Sequence, residues 1–309
     1  MNALYGTSLL LKLIYLVLFT IRRKFHIIEA LFYESIFIHR EIMPLGPPIN
    51  EWFLNLMGKR IIYDFDDAIW MSNVSDVNSK FDFVKSYYKV KYIIKWADLV
   101  TVGNSFLGDY AKQFNNNVKI LPSTVDMINI HNQTHEFNAS DKLIIGLTGS
   151  HTTASKYLPL MENVLKDLME KFPLKFVVIS NQKPSFDIPN LEYIKWNSRT
   201  EIDDLIQFDV GIMPLGDNDW EKGKCSFKAI QYMALGIPTV LSPKGNNIEV
   251  VSDGIDGLFA CSEEEWKSKL TQLIVNPDLR RQIGKNGQKT IKEKYSLESK
   301  SMLYKQIFS

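Results

Sequence analysis

The sequence predicts an α/β protein of two doubly wound, Rossmann-like sheets. Three observations lead there. Short apolar runs alternate with helical patterns along almost the whole chain. The chain has 309 residues and is 45% hydrophobic, ample for two cores. A polar, aperiodic stretch over 127–140 interrupts the alternation and reads as a linker. It gives a first domain over 1–139, a second over 140–294, and a closing helix over 295–309.

The chain opens with an apolar run, 8–21, followed by Arg22, Arg23 and Lys24. Lys12 interrupts the run, which is shorter than the ~18–20 residues a membrane span needs, and no small-residue cleavage site follows. It reads as a helix buried against a sheet. The alternative is a helix dipping into a membrane surface, with residues 8–24 making peripheral contact and the basic cluster on lipid headgroups. Strands follow over 35–39 and 60–63, separated by a short helix over 49–57 that Gly58 closes. A helix rich in aromatics and lysines over 81–96, a strand over 98–102, a helix capped at Gly103-Asn104-Ser105 and a strand over 118–121 complete this half.

The strand over 60–63 runs straight into Asp64, Phe65, Asp66 and Asp67. Ligands bind at the carboxyl ends of strands in such sheets. Crowded carboxylates repel one another, so at least one pKa is expected to rise, a cost that active sites accept. Three readings compete: a metal-binding Asp-x-Asp, a carboxylate pair lining a substrate cleft, and an Asp-rich cap and turn.

The second half begins with a strand over 143–147 and the small, hydroxyl-rich loop Thr148 to Thr153. Such a loop can bring backbone N–H groups to a phosphate, although it matches neither the P-loop nor the GxGxxG spacing. A helix over 157–171, strands over 175–180 and 191–194 and a short helix over 201–206 follow. The strand over 209–213 then ends at Pro214 and Gly216. A polar loop with Trp220, Lys222, Gly223 and Lys224 leads to a helix opened by Ser226, with Phe227, Ile230 and Met233 at helical spacing. Gly236 stops it, and 239–241 is the next strand. Helices over 263–275, 277–294 and 297–307 finish the chain. His131 and His135, four residues apart in the linker, read as solvated.

Lys224 and Lys228 flank the start of the helix that Ser226 opens, where the dipole is already positive. Each costs ~0.3–1 kcal/mol there unless an anion answers it. A phosphate or diphosphate on the free N–H groups would do so. Two solvated surface lysines are the bland alternative.

The segment IQYMALGIPTVLS followed by KGNNIEVVSDGIDGLFA, residues 230 to 260, resembles the donor-site signature of family 4 (group 1) glycosyltransferases, LEAMACGxPVVAS…GGxxEIVxDGxxGLLV. The resemblance implies a GT-B fold, two Rossmann-like domains facing a cleft, and a retaining transfer of a sugar from a nucleotide-sugar to a cell-surface glycan or lipid-linked acceptor. WADLVTVGNSFLGDYA and PSTVD are similar to further elements of that family. The family's ribose-binding glutamate falls on Gln231, whose amide can still bond a hydroxyl. Its donor-sugar glutamate falls on Gly223, which cannot replace a carboxylate. The resemblance places Gly149 and Ser150 toward the donor phosphates, with Lys156 as the basic residue that follows. It places Gly245 and Glu249 at the donor sugar's loop; Glu249 equally suits a helix start. Asp66 falls where the family has a cleft histidine, and Asp67 would orient sugar or acceptor. The candidate catalytic residues are therefore Asp66, Asp67 and Lys224, with Lys228 and Gln231 completing the donor site. The flanking pattern is not that of a metal-dependent transferase, so neither metal nor cofactor is expected.

The formal net charge of +1 gives no basic face for nucleic acid. Two cysteines without metal or disulfide spacing suggest a reducing, cytoplasmic setting, peripheral on the inner membrane face if residues 8–24 touch lipid. Rival readings are a nucleotide-binding accessory subunit without chemistry and a GT-B nucleotide-sugar epimerase. Members of the resembled family begin with a strand and a glycine-rich loop, so the resemblance implies a first domain that is incomplete here by about one βαβ unit, through a late start or a natural truncation.

Overall fold

A computed structural model describes residues 9–72, 85–137, 142–186 and 188–308. They fall into two compact units, 1–121 and 122–309.

The first unit runs α1 (Leu9–Ala30), β1 (Ser35–His39), α2 (Ile49–Leu56), β2 (Arg60–Phe65), α3 (Lys89–Trp96), β3 (Leu99–Val102), α4 (Ser105–Lys112) and β4 (Val118–Ile120). Its four strands are all parallel, in the order β1-β2-β3-β4. Ile61, Ile62, Tyr63 and Phe65 of β2 and every residue of β3 are buried, as a sheet covered on both faces requires. Asn104 caps α4, its side-chain oxygen accepting the Leu107 N–H at 2.9 Å. The helix expected from residue 81 is helical from Lys89; residues 81–84 lie outside the described residues. Lys89 is buried, its ammonium donating to the Met43 carbonyl at 2.7 Å and pairing with Glu41 at 3.1 Å.

The opening helix corrects the expectation of burial. Of its described side chains only Ile27 and Ala30 reach the interior, and most of its large apolar residues face outward. No helix among the described residues is long and apolar enough to cross a membrane.

The second unit runs β5 (Leu143–Thr148), α5 (His151–Tyr157), a 3₁₀ turn (Leu158–Met161), α6 (Glu162–Lys171), β6 (Leu174–Ser180), β7 (Leu191–Lys195), α7 (Glu201–Leu205), β8 (Val210–Met213), α8 (Asp219–Lys222), α9 (Phe227–Ala234), β9 (Thr239–Leu241), α10 (Asn247–Val250), β10 (Leu258–Phe259), α11 (Glu263–Val275), α12 (Pro277–Lys294) and α13 (Leu297–Phe308). Six parallel strands form one sheet in the order β10-β9-β8-β5-β6-β7. The reversal of strand order around β5 puts a crevice at the carboxyl ends of β5 and β8.

One side chain locks that crevice. Tyr232 of α9 is fully buried. A Cβ on Gly211 would lie 2.5 Å from its ring, so β8 needs a residue without a side chain there. The Tyr232 hydroxyl accepts the Thr148 N–H at 2.8 Å. The helix is thereby tied to the end of β5.

The stretch after residue 121 also departs from expectation. His131 and His135 are buried rather than solvated. The His135 backbone N–H donates to Leu235 O at 2.7 Å, and its ring Nδ1 lies 2.7 Å from Ile206 O. Gln288 donates to Thr134 at 2.9 Å. Residues 122–137 thus run as a strap along the second unit.

Candidate functional site

The carboxyl ends of β5 and β8 carry most of the residues singled out for a donor. Gly149 follows β5, and Ser150 is the N-cap of α5, accepting the Thr153 N–H at 3.2 Å. The supposed loop to residue 153 is therefore mostly the first turn of a helix. Its hydroxyls act as caps, which is why the segment reads as a loop. The Gly149 N–H is taken by Ile179 O at 3.0 Å, and the His151 N–H by Asn181 at 2.6 Å. What the loop offers is space. A Cβ on Gly149 would stand 2.6 Å from the Lys228 ammonium. Only a glycine lets that lysine lie against the strand end.

Lys228 sits in the first turn of α9 and makes no hydrogen bond or ion pair among the described residues. Burial and then neighbouring Lys224 lower its pKa to about 8, with Glu221 pulling the other way. Gln231, one turn further along the same face, is 3% exposed. Its side-chain amide has no hydrogen bond within the described residues.

Ser226 precedes α9 but does not cap it. Its φ is +56°, and its hydroxyl donates instead to Asn247 at 2.6 Å. Asn247 in turn donates to Ser242 O at 2.8 Å, and Asn246 donates to Cys225 O at 3.3 Å. The Gly245-Asn246-Asn247 turn therefore holds the 224–226 bend. Gly245, with φ +54°, is in close contact with chain rather than opened toward a ligand: a Cβ there would be 2.5 Å from Glu221 O. With no side chain on its first N–H groups, the start of α9 keeps a positive end for an anion.

The polar loop expected before α9 contains α8. Asn218 accepts the Glu221 N–H at 3.2 Å, and the Asn-x-x-Glu spacing is a helix-start signal that sequence reading passed over. This turn aims Glu221 inward. The Glu221 carboxylate is fully buried, bonded by the Tyr157 hydroxyl and by Lys156 at 2.5 Å. Lys156 thus reaches the region through a carboxylate that no sequence argument had singled out. Lys244, also missed, bridges Gly216 O at 3.0 Å and Asp217 at 2.9 Å. Lys224 holds its ammonium 5.5 Å from the Trp220 ring. Glu249 is exposed in the first turn of α10.

Asp66 and Asp67 lie on the first unit, at the end of β2. The expected repulsion is answered by Arg40, which follows β1. Its guanidinium donates to Asp66 at 2.7 Å and to Asp67 at 2.6 Å. Burial tends to lower the Arg40 pKa, and the two carboxylates outweigh it and raise it. Asp64 is held by His39 at 2.7 Å and by the Thr101 hydroxyl at 2.6 Å. Arg40 has φ +62°, which costs a non-glycine residue on the order of 1–3 kcal/mol. Among the described residues no cluster of three or more histidine, cysteine or carboxylate side chains is placed to hold a metal ion.

Two parallel Rossmann-like units of this kind define the GT-B class of glycosyltransferase folds. The comparisons agree. Sucrose-phosphate synthase from Thermosynechococcus elongatus superposes with a TM-score of 0.68 at 13% identity, covering 95% of this chain and 79% of that one. Anabaena HepE, solved with UDP and glucose, gives 0.65 at 12%, covering 93% and 81%. In sequence, residues 160–304 match the glycosyl transferase-like family. A 93-residue segment is 34% identical to an uncharacterized glycosyltransferase of Methanocaldococcus jannaschii, spanning 29% of this chain and 24% of that relative. The chain has a GT-B-type fold, and the greater part of its second unit is similar in sequence to glycosyl transferase-like proteins.

Proposed function

We propose that the chain is a retaining, metal-independent family 4 glycosyltransferase. It takes a sugar from a nucleotide-sugar and passes it to a cell-surface glycan or lipid-linked acceptor at the cytoplasmic face of a membrane. One observation carries the reading: the Lys228 ammonium stands unpaired among the described residues, beside Gly149 and at the uncapped start of α9. A diphosphate there would gain two cations and a helix N-terminus. Lys224 and Lys228 would offset charge developing on the leaving diphosphate, an electrostatic contribution to the transition state. Gln231 would bond the ribose, and Glu249 the sugar. The second unit is the donor side of this scheme and the first unit the acceptor side. HepE, of the same fold, was solved with UDP, which makes a uracil nucleotide the first ligand to try.

The hold of Arg40 on Asp66 and Asp67 favours a second reading, an accessory subunit that binds nucleotide without chemistry. Titration calorimetry with UDP and GDP, followed by turnover assays with their sugar conjugates, separates the two. Binding that falls ~10–100-fold in Lys228→Ala supports the donor site. Turnover supports the transferase, binding without turnover supports the subunit, and no binding to a folded chain removes both.

A further inference from the structure

Glu221 of α8 is fully buried, and both partners of its carboxylate stand on α5. One oxygen takes the Lys156 ammonium at 2.5 Å, the other the Tyr157 hydroxyl. Since α5 follows β5 and α8 follows β8, this ion pair joins the two rims of the crevice. A carboxylate withdrawn so completely from water is costly, and well-packed apolar side chains would tie two helices as firmly. The charge kept here points beyond the tie.

Lys228 meets the same helix. A Cβ on Gly149 would lie 2.6 Å from the Lys228 Nζ and 3.2 Å from Thr153 Cγ2, so the ammonium stands beside the first turn of α5. Thr153, Lys156 and Tyr157 are three and four residues apart and share a face. Lys228 and Glu221 thus border one face of a seven-residue helix, which is about 10 Å long.

We infer that Glu221 is a positioning residue for the diphosphate: it moors α8 to α5 and balances the charge of Lys228 while the site is empty. The inference rests on the donor-site reading above. Burial and then Lys224 work against the Lys228 proton, and Glu221 works for it. Lys156, from α5, stays at the Glu221 carboxylate and takes up part of its charge. An uncharged amine at Lys228 would forgo the charge-assisted bond to a diphosphate. Glu221 itself is enclosed by its partners and does not meet that anion.

The test is Glu221→Gln in the full chain made with isotope-labelled lysine. The amide keeps the shape and can satisfy both neighbours, accepting from Lys156 and donating to the Tyr157 hydroxyl; circular dichroism checks the fold. The Lys228 Cε resonance, assigned by its absence in Lys228→Arg, should titrate near pH 8 in the wild type. In Glu221→Gln it should titrate about one unit lower. Glu221→Asp, which keeps a carboxylate, should return it toward the wild-type value. Calorimetry with UDP should show the variant's deficit against wild type growing about fivefold between about pH 6 and pH 8. A folded Glu221→Gln chain whose Lys228 titrates as in the wild type overturns the inference. So does a deficit equal at every pH, the mark of a merely structural tie. A shifted titration in a chain that binds neither UDP nor GDP removes the donor-site reading, and the role of Glu221 with it.

Discussion

At Lys228, burial and the charge of Lys224 bring the ammonium pKa to about 8, so near neutral pH it is mostly charged but held with little to spare. In the free chain this depressed value costs stability. The cost is present in full below pH ~8 and is relieved as pH rises toward the usual lysine value, because the unfolded chain keeps the proton longer. A bound diphosphate reverses the preference. Nucleotide affinity should therefore be flat below pH ~8 and fall above it, by at most ~tenfold per unit; calorimetric titrations across pH 6.5–9.5 (about three units,) check this, and Lys228→Ala should flatten the profile. Arg40 makes the complementary case on the first unit. Arg40→Ala leaves Asp66 and Asp67 without their guanidinium. As the pairs are partly exposed, we expect a loss of about 1 kcal/mol, read by urea denaturation at neutral pH and absent where the carboxylates are protonated.

At the scale of elements, the join between α9 and β5 rests on the Tyr232 hydroxyl. Tyr232→Phe keeps the ring against Gly211 but strands the Thr148 N–H, at a cost of ~1–3 kcal/mol in urea denaturation. Asn218→Ala should cost ~1 kcal/mol by uncapping α8. The sequence made the buried parallel strands legible, because runs such as residues 143–148 and 210–213 are apolar and end at glycine, serine or proline. It also made the stop of α9 at Gly236 legible. What it hid were interactions between segments far apart in the chain. Asn218 and Glu221 spell a helix start, yet one turn of helix is too short for a periodic signal. Ser226 looks like a cap, and only Asn247, twenty-one residues later, turns its hydroxyl away. Arg40 is remote in sequence from Asp66, so the acidic cluster read as repulsive. The opening helix was mistaken for a buried one because apolar composition does not say what covers a face.

For the molecule as a whole, the two compact units imply two cooperative transitions rather than one. Every candidate donor residue other than Asp66 and Asp67 belongs to the unit over 122–309. A nucleoside diphosphate should therefore raise the melting of that unit alone, by about 2.7 kcal/mol at a hundredfold excess over Kd. Differential scanning calorimetry of the full chain, with and without UDP, resolves this. A shift of both transitions would mean that the first unit also takes part in binding.

Trp220 gives this chain an optical handle. Its indole ring lies 5.5 Å from the Lys224 ammonium, and its Nε1 is buried without a hydrogen-bond partner among the described residues. The excited indole dipole responds to nearby charge, so an anion settling between Lys224 and Lys228 would cancel the field the ring now feels. Occupancy of the crevice would then appear as a spectral shift in emission from Trp220, lost in Trp220→Phe. The chain would report its own ligand without a label.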